Sequence, residues 1–535
     1  MKLLTNRVTF AQIVLCSLFY SLLLPQVANM QTAENMPKPF PTRRVETPET
    51  WRQNGEAAIE QAKKLKLFKG KAKNVILFVG DGMGVTTITA SRILEGQLRG
   101  ESGEENQLSF EKFPSLALSK TYSVDQQTSD SAPTMSAIIT GIKTDEGVLS
   151  VNQNVVHGDY KTVKGNETKS LLEMAEDNGK STGVVTTARL THATPGACYA
   201  HTADRDWESD SDISKGSKEA YDAKFPDIAR QLIEFNYGDG LEVALGGGRT
   251  KFLPNSMNDF EYSNLTGERL DGRNLTDEWL EKYQSSIYVW NKAQFDAVDA
   301  KKTKHLLGLF EPSHLKYNYD RPKDTAGEPS LSEMTAKAID VLSNNKKGFF
   351  LMVEAGRIDH AHHNGNAFRA LTDTIELSNA VRTAENKVNL KDTLIIVTAD
   401  HSHTFTMGGY PIRGNNILGL TQEVDGKGML EEKPSTDKNG KPYTTLGYAN
   451  GKGYRNGTRP NLTEEQVTNP DYKQEAAVPL NDETHGGEDV AIFANGAGSY
   501  LIHGVMEQNW IFYVMKEALK FKIQDSKFKI KNLKS

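Results

Sequence analysis

The sequence predicts an α/β fold, a three-layer sandwich in which helices flank a large central, mostly parallel sheet. Three observations carry this. Predominantly apolar runs at Asn74–Val79 (NVILFV), Phe349–Val353 (FFLMV) and Thr393–Thr398 (TLIIVT) read as strands buried on both faces. Helical segments alternate with them, as the crossovers between parallel strands require. Each run also leads into an acid, Asp81, Glu354 or Asp400, and open α/β sheets collect ligands at the carboxyl ends of their strands.

Taken in order, Thr47 caps a helix over Pro48–Leu67, with Pro48 and Glu49 in its first turn. The Asn74–Val79 strand runs into Gly80-Asp81-Gly82-Met83-Gly84, which lacks the G-x-G-x-x-G spacing of a dinucleotide loop. A helix over Val85–Gln97 and a strand over Leu116–Ser123 follow. SDSAPTMSAIIT then starts a helix at Ser131, with Pro133 in the first turn, where proline is tolerated. Ser170–Asn178 is helical, Gly183–Thr187 is a strand, and Val243–Leu245 is a short strand before three glycines. Residues 250–330 read as irregular, polar and turn-rich. A helix over Ser332–Asn345 feeds the Phe349 strand, and Phe368–Lys387 is helical before Thr393–Thr398. Residues 410–480 are rich in Gly, Lys, Asn, Pro and Thr, the composition of an insertion. The core returns with Val490–Phe493 and a helix over Gln508–Leu519.

The 535 residues carry 63 Lys+Arg against 69 Asp+Glu, a net charge of −6. No long basic run is present, which argues against a nucleic-acid-binding surface. Mean hydropathy of −0.53 excludes a polytopic membrane protein. Lys2 and Arg7 precede an apolar stretch from Val8 to Leu24 and then Pro25, the architecture of a signal peptide ending by residue 33, with an uncleaved anchor as the alternative. Its removal leaves Cys198 as the one cysteine, so stability must come from core size and bound ions. The C-terminal FKIQDSKFKIKNLKS is basic and lacks the apolar tail of a GPI anchor. The expectation is a secreted or periplasmic protein with no transmembrane helix once the signal is gone.

Asp81, Glu354 and Asp400 gathered at one sheet end would repel one another strongly unless cations sat between them. The stretch Glu354-Ala-Gly-Arg-Ile-Asp359-His360-Ala-His362-His363 adds carboxylate and imidazole, and Asp359 and His363 share one helix face. His485, in Glu-Thr-His-Gly-Gly, offers a further imidazole. Ser131 stands at a helix N-terminus, a ready anion site. It becomes a nucleophile if a nearby cation lowers its pKa, since no G-x-S-x-G elbow is present. Arg205 has the fork to grip two phosphoryl oxygens. Taken singly, each has a plain structural reading: a strand-end acid or Ser131 as a helix cap, Arg205 as a surface ion-pair partner. Their combination points to a polynuclear metal site.

These residues lie in NVILFVGDGMG, SDSAPTMSA, VVTTARLTHATPGACYAHTADRDW, GLFEPSHLKY, FFLMVEAGRIDHAHH, VTADHSHTFTMGGY and ETHGGEDVAIFANG. With them the chain resembles the alkaline phosphatase family, in particular its animal-type branch, from about Pro48 to Leu519. The resemblance implies Ser131 as the nucleophile of a phosphoserine intermediate and Arg205 as the phosphate-binding arginine. It implies two zinc ions per chain, one on Asp359, His363 and His485 and one on Asp81, Asp400 and His401. One magnesium ion would be shared by Asp81, Thr194 and Glu354. His192, His360, His362 and His403 match positions that stand behind or beside the metals. Some animal-type members hold a fourth, calcium-like ion, and the matching positions are Glu261, the Phe310 carbonyl, Glu311 and Glu328. The implied partners are phosphate monoesters of broad range and a second copy in a homodimer.

The resulting organisation is a signal peptide over 1–33, an N-terminal arm and helix over 34–72, and a catalytic α/β core over 73–409. A small crown-like insertion spans 410–480, the core resumes over 481–520, and a basic tail occupies 521–535. Departures from the family pattern are Pro133 in place of a small residue, the absent disulfide cysteines and the absent anchoring tail. The competing readings are a phosphodiesterase or sulfatase of the same superfamily, or an inactive phosphate- or metal-binding relative. The Arg205 clamp disfavours a diesterase, no sulfatase-type Cys or Ser motif is present, and an intact ligand set disfavours inactivity.

Overall fold

The computed structural model describes residues 47–65 and 68–521. The expected signal peptide, the arm up to residue 46 and the tail from residue 522 lie outside the described residues. In chain order the strands are β1 (Asn74–Gly80), β2 (Ser115–Lys120), β3 (Ser181–Arg189), β4 (Val243–Gly247), β5 (Ser286–Val289), β6 (His305–Leu309), β7 (Phe349–Ala355) and β8 (Thr393–Thr398). Then come β9 (Ser402–His403), β10 (Phe405–Met407), β11 (Leu446–Gly451), β12 (Ala476–Pro479), β13 (His485–Gly486), β14 (Val490–Gly496) and β15 (Gly504–Glu507).

Ten of these form one sheet in the order β15-β2-β14-β8-β1-β7-β3-β4-β6-β5. The block from β8 to β5 is parallel throughout, and β14 runs against both of its neighbours. The sandwich follows from the period of the strand. Along β1, Val75, Leu77 and Val79 face one apolar layer while Ile76 and Phe78 face the other. Along β7, Phe350 and Met352 face the first layer, and Phe349, Leu351 and Val353 the second. Helices Ser131–Thr140 and Trp510–Leu519 cover the first layer; Leu331–Leu342 and Ala367–Lys387 cover the second. Each such fully buried side chain stabilises the sheet by about 1.5–3 kcal/mol.

The expected fold class stands, with elements shifted at their ends. The first helix runs Pro48–Ala62, its Thr47 cap forming a reciprocal capping box with Thr50. Residues 250–330 are more regular than the sequence suggested: they contain β5, β6 and helices Leu275–Lys282 and Lys292–Ala297. β5 is a four-residue edge strand, mostly half-buried, and β6 carries Gly308, so neither gives a periodic signal. Within 410–480, β11 and β12 join β10 in a small sheet, and Leu420, Leu462 and Val467 form a separate apolar cluster.

At the opposite, amino-terminal end of the sheet, Glu176 and Glu242 are buried side by side. Thr182 donates its hydroxyl to Glu176 at 2.5 Å and its N–H to Glu242 at 2.6 Å. Burial first, then the neighbouring Glu242, pushes Glu176 up to about 10; burial pushes Glu242 up to about 8. Because the folded values lie above the ordinary carboxyl value, the pair's contribution is complete below that ordinary value. It is lost as pH rises through the folded ones. Glu176→Gln, which mimics the protonated form, should therefore flatten the fall in melting temperature between neutral pH and about pH 10. A fall as steep as the wild type's would refute the raised carboxyl of Glu176 as its cause.

Candidate metal centre

The ladders set the level of the site residues. Val79 lies opposite both Glu354 and Thr398, and Glu354 lies opposite Thr186. Asp81 therefore leaves β1, and Asp400 leaves β8, at matching heights beside Glu354. Gly82 makes this convergence possible: its φ is +68°, and a Cβ there would lie 2.4 Å from the His403 ring. Its N–H donates to Asp400 Oδ1 at 3.1 Å. Asp81, Glu354, Asp400, His401 and Thr194 are fully buried, and Ser131 and Asp359 nearly so.

Three clusters result. In the first, helix Arg357–His363 places His363 Nε2 3.2 Å from Asp359 Oδ1. Pairing of β13 with β9 brings in His485, whose Nε2 lies 3.4 Å from the same oxygen and 3.1 Å from His363 Nε2. His363 Nδ1 donates to the Glu483 carbonyl at 2.5 Å, and His485 Nδ1 donates to the Ser129 carbonyl at 2.9 Å. Both Nε2 atoms consequently present lone pairs, facing each other and a carboxylate oxygen. Only a cation or added protons reconcile three acceptors so placed.

The second cluster has His401 Nε2 3.4 Å from both Asp81 Oδ1 and Asp400 Oδ2. Ser131 Oγ joins it, 3.1 Å from His401 Nε2 and 3.4 Å from Asp81 Oδ1. The third is marked by buried atoms without any hydrogen-bond partner: Asp81 Oδ2, Glu354 Oε1 and Thr194 Oγ1. Such orphans are costly unless a ligand satisfies them. Nitrogen and oxygen donors in the first two clusters suit a borderline cation, and the all-oxygen third suits a hard one. The residues present fit bound metal.

Electrostatics agree. Burial, then the charges of Asp400, Asp359 and Glu354, pushes Asp81 well up. Burial likewise raises Glu354, to about 7, and Asp400. Burial opposes ionisation of Asp359 too, yet His363, His403 and His485 together hold it well below the usual carboxylate range. A centre that forces carboxylates toward protonation releases that stress when cations bind.

Arg205 contacts the Asp130 carboxylate directly and reaches His192 Nε2 at 3.1 Å, so it stands one residue from the serine. His360 packs against His192 and His314, with ring centroids 5.5 and 4.1 Å away. His362 turns away from the metal clusters, taking Thr87 Oγ1 at 3.0 Å and the Tyr448 hydroxyl at 2.8 Å. His403 is closer in: it bridges Asp359 at 2.8 Å and Glu483 at 2.5 Å. Although burial opposes it, those two carboxylates push His403 up to about 9. Sequence reasoning passed over His314 and Glu483; Glu483 lies two residues before His485, the one hint available.

A fourth group lies apart from these. Glu261, Glu311 and Asp324 bring carboxylate oxygens within 4.8 Å of one another. Glu261 Oε1, both Asp324 oxygens and Glu328 Oε2 lack hydrogen-bond partners, while Lys316 Nζ sits 3.0 Å from Glu311. Asp324 was not anticipated. It sits in a polar loop where spacing gives no signal.

A family model described as alkaline phosphatase matches residues 72–521. An alkaline phosphatase from Gadus morhua is 46% identical over 487 residues, covering 90% of this chain and 98% of the relative. The tissue-nonspecific alkaline phosphatase isozyme of Homo sapiens is 45% identical over 480 residues, 88% of each chain. Among solved structures, Thermus thermophilus alkaline phosphatase superposes with a TM-score of 0.60 at 24% identity, covering 86% of this chain and 94% of that one. At that identity the superposition speaks for the fold alone.

Proposed function

The chain belongs to the alkaline phosphatase family and is a metal-dependent phosphatase, and from that premise we propose a full assignment of its site. Ser131 is the nucleophile and Arg205 the phosphate clamp. Asp359, His363 and His485 hold one zinc; Asp81, Asp400 and His401 hold a second; Asp81, Glu354 and Thr194 hold a magnesium. The observation that carries this is the serine hydroxyl set 3.1 Å from His401 Nε2 and 3.4 Å from Asp81, at the start of a helix. When bound, the cations supply Lewis acidity, lowering the pKa of a hydroxyl or a water.

The chain's own groups then act as follows. Arg205 turns its fork from Asp130 onto two phosphoryl oxygens of a phosphate monoester. The N-terminus of helix Ser131–Thr140 favours the same anion. Ser131 Oγ, its proton passed to solvent, attacks phosphorus in line as the bond to the ester oxygen breaks; the departing oxygen takes a proton from water, and a phosphoserine results. Water attacks that phosphoserine, returns the serine hydroxyl and frees inorganic phosphate with retained configuration. Because the site grips the phosphoryl group, many leaving groups are accepted.

Elemental analysis of the purified protein should find zinc and magnesium in a ratio of about two to one per chain. His485→Ala should lose one zinc and leave the magnesium. A chain without zinc, or a variant with unchanged zinc, would refute the assignment. The Glu261, Glu311, Asp324 and Glu328 group, with the Phe310 carbonyl, takes a calcium ion, as oxygen donors alone would.

The chain works as a homodimer and is exported. Supporting the first, helix Pro48–Ala62 buries none of its residues and leaves Trp51 54% and Ile59 58% exposed. Leu116, Leu118 and Val505 form an exposed apolar row at one sheet edge. Leu116→Glu with Val505→Glu should halve the mass seen in sedimentation; an unchanged mass would remove that row from the interface. No described helix is long and apolar enough to cross a membrane. Amino-terminal sequencing of protein recovered outside the cytoplasm tests export.

A further inference from the structure

We infer that Glu483 is the positioning residue for the cluster of Asp359, His363 and His485, fixing its ligands through its side chain and its backbone together. The inference rests on the reading of that cluster as a cation site. Glu483 is 1% exposed, and every polar group it has is engaged at the cluster's edge. Its N–H donates to the His363 carbonyl at 3.1 Å, and its own carbonyl accepts from His363 Nδ1 at 2.5 Å. That second bond assigns the proton to Nδ1 and leaves Nε2 free as a ligand atom.

The side chain performs the matching task on the other ligand. Oε2 accepts from His403 Nδ1 at 2.5 Å, and His403 Nε2 in turn reaches Asp359 Oδ1 at 2.8 Å. Oε1 is held by the Thr404 N–H and hydroxyl, both at 2.7 Å. The carboxylate therefore cannot swing, and the Glu483–His403–Asp359 chain fixes the rotation of the Asp359 carboxylate. The next links are local. The Thr484 carbonyl accepts from Thr404 N–H, and His485 pairs with His403 across β13 and β9. Gly451, at φ +118°, lets the backbone lie against Glu483, where a Cβ would fall 2.8 Å from the Glu483 Cβ. One residue thus orients two ligands and anchors the strand that delivers the third. Partners of this kind behind metal ligands typically change affinity by roughly 10–100-fold when lost.

The test follows zinc release from purified holoenzyme into excess chelator, read with a metal-sensitive dye. Glu483→Gln should release one zinc per chain roughly 10–100-fold faster than wild type, the second at the wild-type rate. Glu483→Asp, which keeps the charge, should recover part of the retention. Unfolding of the chelated proteins should coincide for wild type and Glu483→Gln, because the effect lies in ligand orientation. Release at the wild-type rate overturns the proposal, as does a lowered apo stability with unchanged release. If Glu483→Gln does not fold, His403→Gln breaks the same link from the other side, and wild-type release from it is equally fatal. His363→Ala separates the two levels: if that variant retains all its zinc, the cluster is not a cation site and the underlying reading fails.

Discussion

Ser131→Ala should fold like the wild type and lose roughly a thousand-fold or more in turnover of an aryl phosphate at alkaline pH. The fold is expected to survive because the hydroxyl supports nothing else. Its contacts are His401 Nε2 at 3.1 Å and Asp81 Oδ1 at 3.4 Å, both site residues. Helix Ser131–Thr140 keeps its other anchors, among them Thr134 Oγ1 to the Asp130 carbonyl at 2.9 Å and Ser136 Oγ to the Ala132 carbonyl at 2.7 Å. Arg205 and the proposed metal ligands remain, so phosphate should still bind, with residual activity reporting water attacking the ester directly. Acid quenching of wild type with labelled substrate should trap phosphate on Ser131, and the variant should trap none. Turnover within tenfold of wild type would end the nucleophile assignment.

The place of Ser131 at a helix start was legible because Asp-Ser-Ala precedes an apolar run that begins a helix. The positions of Asp81, Glu354 and Asp400 were legible for a stronger reason: each stands at the end of, or within two residues after, a strand whose apolar run is plain in the sequence. What sequence could not give was distance across the fold. His362 and His403 look alike in the sequence, each within two residues of a proposed ligand, yet His362 faces Tyr448 and His403 faces Asp359. The helix turn decides the first, and the β9–β13 pairing the second. Asp324 and Glu483 were missed because their roles arise from chain segments that meet only in three dimensions. The same holds for β5, β6 and β15, whose short runs become strands through the neighbours that pair with them.

The largest stability loss is expected from Asp259→Ala. Arg249 and Asp259 have fully buried side chains joined by two bonds, Nε to Oδ2 at 2.7 Å and Nη2 to Oδ1 at 2.8 Å. Arg249 Nη1 also donates to the carbonyl of Leu309, the last residue of β6, at 3.0 Å. The pair thus ties the segment after β4 to the end of β6. Removing the carboxylate strands a guanidinium in the interior, where Glu261 at 3.3 Å is its nearest remaining carboxylate. Breaking a buried pair in this way costs about 3–5 kcal/mol. Replacing both partners by Arg249→Met and Asp259→Leu should recover most of that, since the cost lies in the unpaired charge more than in the lost attraction. The carboxylate has a second task. Oδ1 also accepts the N–H groups of Glu261 at 2.9 Å and Tyr262 at 3.0 Å, shaping the turn that aims Glu261 at Glu311 and Asp324. Neither replacement restores that turn. The single and double variants should therefore differ in denaturant midpoint yet share a loss of affinity for the calcium proposed at that group. A double variant that regains stability and binds calcium like wild type would separate the fourth site from this clamp.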